Sequence, residues 1–208
     1  QRQMCIRDSR YRAERGLLDR DEQMALLVMR VSGTLYGRHF FPAASGVAYS
    51  YNPFVWSPDI DPRAGVLRLV AGLGTRAVNR VDDDYARLVA LNTPLRRPES
   101  SFDQVCEVSQ RKLDYLDLEA NRTVSGHVLD VLRGEGGLPL DLLLTRARSD
   151  TGEPGRIALT FDGLLGRTRF AEDLRTVLAA LETAYGGPVD IELTVNFDSD
   201  GQYRLNVV

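Results

Sequence analysis

The chain has 208 residues, 43% of them hydrophobic, and a formal charge of -3 at pH 7. That is enough apolar material for one large domain or two small ones with a real core, and the slight acidity leaves no electrostatic footprint for nucleic acid or an anionic membrane. Two distant cysteines, Cys5 and Cys106, and two histidines, His39 and His127, cannot build a disulfide framework or a Cys/His metal cluster, and they fit a reducing, cytoplasmic setting.

No apolar run approaches the roughly 18 residues of a membrane span, and the N-terminus has no signal-peptide core. Met4 to Ser9 back-translates to the end sequence of a transposon adaptor used in sequencing libraries. Residues 1–9 are therefore set apart as an adaptor-derived scar, and 10–208 is expected to be part of a domain truncated at both ends, beginning upstream and cut at Val208 within a strand. Residues 10–22 are polar, with a sparse apolar set (Tyr11, Leu17, Leu18) that suits a short helix or a tail. Met24 to Val31 is a continuous apolar run and predicts a strand buried on both faces.

Gly37 to Pro53 is turn-rich around a strand at Gly46 to Ser50, and Val66 to Val70 supplies another strand. Tyr85, Leu88, Val89 and Leu91 can share a helical face before Pro94 and Pro98. Beyond it the reading is a strand at Tyr115 to Leu118, a helix over Val124, Val128, Val131 and Leu132, and polar loops at Arg133 to Gly137 and Ser149 to Gly155. Ile157 to Phe161 reads as a strand. Phe170, Leu174, Val177, Leu178, Leu181 and Tyr185 recur at helical spacing until Gly186-Gly187-Pro188. Val189 to Phe197 then alternates strictly, with Asp190, Glu192, Thr194 and Asn196 on the polar face, and Asp198 to Gly201 turns the chain back through Tyr203 to Val208 as a hairpin. A three-residue loop would set Glu192 opposite Asn206; a four-residue loop would set it opposite Val207.

Two features carry chemistry. Gly72-Leu73-Gly74-Thr75-Arg76 follows a strand. Glycines let backbone approach a phosphate, Arg76 or Arg80 supplies charge and Thr75 a hydroxyl, but the run is neither a Walker loop nor a dinucleotide fingerprint and taken alone reads more readily as a tight turn after a strand. Asp190 and Glu192 share a strand face and are suited to a hard cation, or are an ordinary solvated face. Neither histidine has a nucleophilic partner that spacing reveals, and no catalytic residue is assigned.

Taken in order, "MALLVMRVSG", "FFPAASGVAYSYNPF", "GVLRLVAGLGTRAV" and "LETAYGGPVDIEL" resemble the ATP-grasp nucleotide-binding domain of phosphoenolpyruvate synthase and pyruvate phosphate dikinase, over Met24 to Val208. The resemblance implies an α+β fold, the C-terminal part of an ATP-grasp domain, with a mixed, mostly antiparallel sheet and helices on one side. It implies ATP and Mg²⁺ as ligands. The parent enzyme would pass phosphoryl from ATP to a histidine carrier domain and on to pyruvate bound in a barrel; neither partner domain is matched in this chain, which alone is expected to have no turnover. By likeness, Val28, Met29 and Arg30 line an adenine-facing hinge, Ser45 and Gly46 sit in a hairpin loop over the nucleotide, and Gly72, Gly74 and Arg76 form a loop that lines the site. Glu192 binds the metal, with Asn206 or a residue beyond Val208 as its partner ligand. Met29, Arg68 and Thr75 depart from the family pattern of glutamine, an acid and glutamate. They leave room for a non-catalytic ATP-grasp-like module, or for a related dikinase with another acceptor.

Overall fold

The computed structural model describes residues 10–21, 26, 28–78, 84–134, 136–147 and 155–208, which fall into two units, Gln1–Val31 and Ser32–Val208. In the first, residues 10–14 are helical, and Arg12 donates from one Nη2 to the carbonyls of Leu17 (3.0 Å) and Arg20 (2.5 Å), tying the following turn back to it. The strand expected over Met24 to Val31 does not form among the described residues. Leu26 and residues 28–31 are irregular and exposed, Val28 to 91%. No strand occurs among the described residues of this unit, so the run has no ladder to join. Residues 1–9, with the adaptor-like run, lie outside the described residues, as do Met24, Ala25 and Leu27.

The second unit is built on an antiparallel five-stranded sheet in the order β11-β10-β3-β4-β5. Its strands are β3 (Ala44–Tyr49), β4 (Val66–Val70), β5 (Arg87–Ala90), β10 (Asp190–Phe197) and β11 (Tyr203–Val207). A second sheet, order β1-β2-β6-β7, comprises Thr34–Tyr36, His39–Phe41, Lys112–Asp117 and Arg122–His127. The hairpin of β8 (Leu144–Arg146) and β9 (Ile157–Leu159) completes the strands. The α-helices of this unit are α1 (Thr75–Val78), α2 (Phe102–Val108), α3 (Val128–Gly134), α4 (Leu140–Leu143), α5 (Asp162–Arg167) and α6 (Phe170–Tyr185). The class is α+β, as the sequence implied.

The core follows from period. Phe170, Leu174 and Leu178, four apart along α6, are buried against Leu67 and Leu69 of β4 and Leu193 and Val195 of β10. Gly186, at a φ of +70°, ends the helix by returning its N–H to the Glu182 carbonyl (2.9 Å). Tyr185, placed on the apolar face by its spacing, is the last residue of α6 and is 79% exposed. On the opposite face of the sheet α1 sets Ala77 over Val47 and Val70, so helices pack on both faces, where the sequence reading put them on one.

Two other expectations are corrected. Tyr85 to Leu91 is not helical: Arg87–Ala90 pair with β4, Leu67 opposite Val89 and Arg68 opposite Leu88, because a four-residue apolar run fits the free edge of β4 as readily as a helix. Val124 belongs to β7, whose ladder with β6 sets it opposite Tyr115, and the helix starts only at Val128.

Candidate functional site

The polar face of the large sheet assembles the residues singled out above. Glu192 lies opposite Val47, which lies opposite Arg68, and Asp190 lies opposite Tyr49. Strand alternation therefore puts Asp190, Glu192, Val47, Tyr49 and Arg68 on one surface. With Val78 of α1 they line a cavity of about 220 Å³. Among the described residues neither acidic side chain has a hydrogen bond or ion pair, so both carboxylates stand free at this cavity. Among the described residues no group of three or more acidic, histidine or cysteine side chains is placed to hold a metal.

The glycine loop reaches the same surface through β3. Ser45, buried and opposite Thr194, donates its hydroxyl to the Gly72 carbonyl at 2.7 Å. One hydroxyl thus ties the loop to the strand that carries Val47 beside Glu192. The two glycines differ in what they need. Gly72 has a φ of +79°, and a Cβ there would stand 2.7 Å from the Asp114 carbonyl oxygen and 2.8 Å from Leu113 Cδ1. A Cβ on Gly74 would meet only the Ser45 Cβ, at 3.5 Å. Gly72 is therefore required by local packing, whereas Gly74 leaves open space beside the site.

Ser45 and Gly46 lie inside the central strand, not in a hairpin loop as expected. Gly46 allows β3 and β4 to approach, since a Cβ would stand 2.6 Å from the Arg68 carbonyl oxygen. Arg76 is held by carboxylates: Nη1 donates to Asp84 (2.6 Å), and Nη2 to Asp114 (3.1 Å) and to the Ser125 hydroxyl (3.2 Å). Its side chain is only 11% exposed. Thr75 donates to the other Asp114 oxygen at 2.6 Å. Burial alone would raise the Asp114 carboxyl, but hydrogen bonds from Ser125, Thr75 and Arg76, and the Arg76 charge, outweigh it and hold the group below its ordinary value.

Sequence reasoning missed the residues that clamp this loop. Asp84, buried, also accepts the backbone N–H groups of Arg111 (2.8 Å) and Lys112 (3.3 Å). The Gln110 amide accepts from Ala71 N–H (2.7 Å) and donates to the Ala71 carbonyl (3.0 Å), replacing a missing strand partner. Asp84 reaches Arg111 across 27 positions and Gln110 reaches Ala71 across 39, and even the 8 positions between Asp84 and Arg76 fit no local motif.

The β10–β11 register differs from both sequence alternatives. Thr194 faces Asn206, and the Glu192 carbonyl accepts from Val208 N–H at 3.0 Å. The connecting loop has five residues, folded on the Asp198 side chain, which accepts from the N–H groups of Asp200 (3.0 Å) and Gln202 (2.9 Å). Asn206 is thus diagonal to Glu192 on the same face and donates to Thr194 and Ser32, each at 3.4 Å. Val28, Met29 and Arg30 belong to the first unit, exposed and irregular. Arg80 lies outside the described residues. His39 stacks near Tyr115 in the smaller sheet, ring centroids 4.3 Å apart, and His127 is exposed beside Asp130. Neither lines the cavity.

Among the described residues no helix is long and apolar enough to cross a membrane. A family model described as pyruvate phosphate dikinase, AMP/ATP-binding domain, matches residues 4–207. No curated protein matches the chain.

Proposed function

Because the chain belongs to the family of the pyruvate phosphate dikinase AMP/ATP-binding domain, we propose that the sheet face carrying Asp190 and Glu192 is one wall of an adenine-nucleotide site and that the parent protein is an ATP-dependent dikinase or synthase. In this reading the parent moves phosphoryl from ATP to a histidine on a carrier domain, and from there to pyruvate. The observation that carries it is the convergence of the glycine loop and the Glu192 carboxylate on one face of one sheet, joined through Ser45.

The donor set suits magnesium. Glu192 and Asp190 are free carboxylates two apart on one face, and Asn206, diagonal to Glu192 on the same face, would offer an amide oxygen. These residues would hold the ion, which would neutralise phosphate charge. The chain's own contribution is position. Gly72 and Gly74 keep side chains away from the nucleotide's path, Ser45 fixes the loop, and Val47 and Tyr49 supply an apolar floor.

A second reading keeps the nucleotide and drops the turnover. It is favoured by Arg76, whose guanidinium sits between Asp84 and Asp114 and therefore brings little free positive charge to a phosphate.

The test uses the full-length gene product. Mg-ATP should raise its thermal midpoint, as a ligand selective for the native state does, and Glu192→Ala should abolish that shift while leaving the midpoint without ligand unchanged within about 1 °C, as expected for an exposed side chain. Incubation with ATP labelled at the β-phosphoryl should leave acid-labile label on a histidine. No nucleotide-dependent shift would overturn the site, and a shift without histidine label would select the second reading.

A further inference from the structure

Beside the Glu192 cavity, with which it shares Tyr49 and Arg68, a larger one of about 880 Å³ opens around the β5 edge, between the segment after β3, helix α2 and the loop before it. Its walls are mostly apolar and aromatic, among them Phe54, Leu88, Val105, Val108 and Phe161. Into it faces Arg87, a charged residue only 8% exposed. Arg87 Nη2 donates to the Pro94 carbonyl at 3.3 Å, but Nε and Nη1 are buried without an acceptor among the described residues. The neighbouring cation is already satisfied: Arg97 donates to Asp162 at 2.8 Å and to the Thr160 carbonyl at 3.1 Å, with Glu99 4.0 Å away. A buried guanidinium with two idle donors is costly to keep and is ordinarily matched by an anion. Burial, followed by the charge of Arg97, lowers Arg87 to about 10, which leaves it cationic at neutral pH.

We propose that the part of this cavity on the Arg87 side of the sheet is a second ligand site, on the face opposite the one that carries Glu192, and that it takes a small organic monocarboxylate whose carboxylate pairs with Arg87 and whose apolar body lies along Leu69, Leu159 and Phe161. Charge selects the class. On that side of the sheet Arg87 is the cation with idle donors, since Arg68, which also lines the cavity, belongs to the other face, and Glu99, whose Oε2 is also buried without a hydrogen-bond partner, repels a phosphate dianion more strongly than a monoanion. The volume and the apolar walls with few convergent polar groups are those of small-molecule sites, and a guanidinium is shaped for a carboxylate.

The probe is 3-phenylpropionate, titrated calorimetrically into the 208-residue chain. It should bind saturably. Its uncharged analogue 3-phenylpropanamide should bind about 10- to 100-fold more weakly, as should the acid to Arg87→Met, since each loses one buried charge-assisted contact. Arg87→Met should itself fold with an unchanged or raised thermal midpoint, because an unpaired buried charge is replaced by an apolar chain of similar length. Val108→Trp, which fills the cavity from its half-exposed helix, should abolish binding with Arg87 intact. Saturating Mg-ATP should leave the affinity unchanged. The proposal is overturned if the acid does not bind, if the amide or inorganic phosphate binds as well as the acid, if both variants retain full affinity, or if ATP competes. None of these results bears on the loss of nucleotide protection in Glu192→Ala, so the two readings fail separately.

Discussion

Gly72→Ala separates a glycine kept for phosphate approach from one the fold requires. At a φ of +79° an alanine carries about 1–2 kcal/mol of backbone strain. Its Cβ, 2.7 Å from the Asp114 carbonyl oxygen and 3.0 Å from Leu113 Cβ, meets backbone and the root of a buried side chain, neither of which can swing away. Relief means lifting the loop from β6. That breaks the 2.9 Å bond from Leu73 N–H to the Asp114 carbonyl and strains the buried one from Ser45 to Gly72, each worth about 1 kcal/mol. Together the loss is about 3–5 kcal/mol, a large part of the ~5–15 kcal/mol that holds a domain of this size. In urea, with a slope near 2 kcal/mol/M, the midpoint should fall by about 1.5–2.5 M at unchanged slope. Gly74→Ala is the control. Its methyl makes one ordinary contact at 3.5 Å and needs no unusual backbone angle, so its midpoint should move by less than about 0.3 M. A Gly72→Ala midpoint within that margin of the wild type, or a Gly74→Ala loss as large as that of Gly72→Ala, would refute the packing argument for the loop.

Asp114, held below its ordinary value of 3.8, contributes stability that is complete above that value and is lost as pH falls through the depressed one. Asp114→Asn should therefore be less stable at neutral pH and flatten the decline below about pH 4, read by urea midpoints across that range. Tyr203 behaves in the opposite sense. Burial, then its hydrogen bond to Asp173 and the charge there, pushes the phenol up to about 12, so its contribution is complete below pH 10 and is lost as pH rises toward 12. Tyr203→Phe should remove that alkaline decline, and a decline of unchanged size in the variant would assign it elsewhere. Leu174→Ala, at a fully buried position of α6, should cost about 2–5 kcal/mol by urea unfolding, and a loss under 1 kcal/mol would mean that α6 does not anchor the core.

What could be read from the residues, and what could not, divides by the range of the interaction that decides it. Helix α6 spans Phe170–Tyr185, as its apolar spacing predicts, and β10 alternates as predicted, because each is long enough for its own period to outweigh its surroundings. Arg87–Ala90 is too short for that. Its four residues satisfy either period, and the unpaired edge of β4 decides. Met24 to Val31 fails for the converse reason: an apolar run states that it wants cover but cannot name what provides it. The hairpin register lay open between Asn206 and Val207 because loop length alone could not show that Asp198 would hold a five-residue turn together with two side-chain hydrogen bonds. The site divides in the same way. Its visible parts, the glycine loop and the Asp190/Glu192 face, are local patterns that order along the chain made more specific. Its hidden parts, Asp84, Gln110 and Asp114, act through partners 8 to 39 positions distant that share no motif with them. They change the meaning of a residue the sequence offered, since Arg76 reads as a phosphate-facing charge until Asp84 and Asp114 are set beside it. A charge in a motif is free to bind a ligand only if the fold leaves it unpaired. By that criterion Glu192, Asp190 and Arg68 on the proposed nucleotide face and Arg87 beneath the β5 edge have charge to offer, and Arg76 serves the loop.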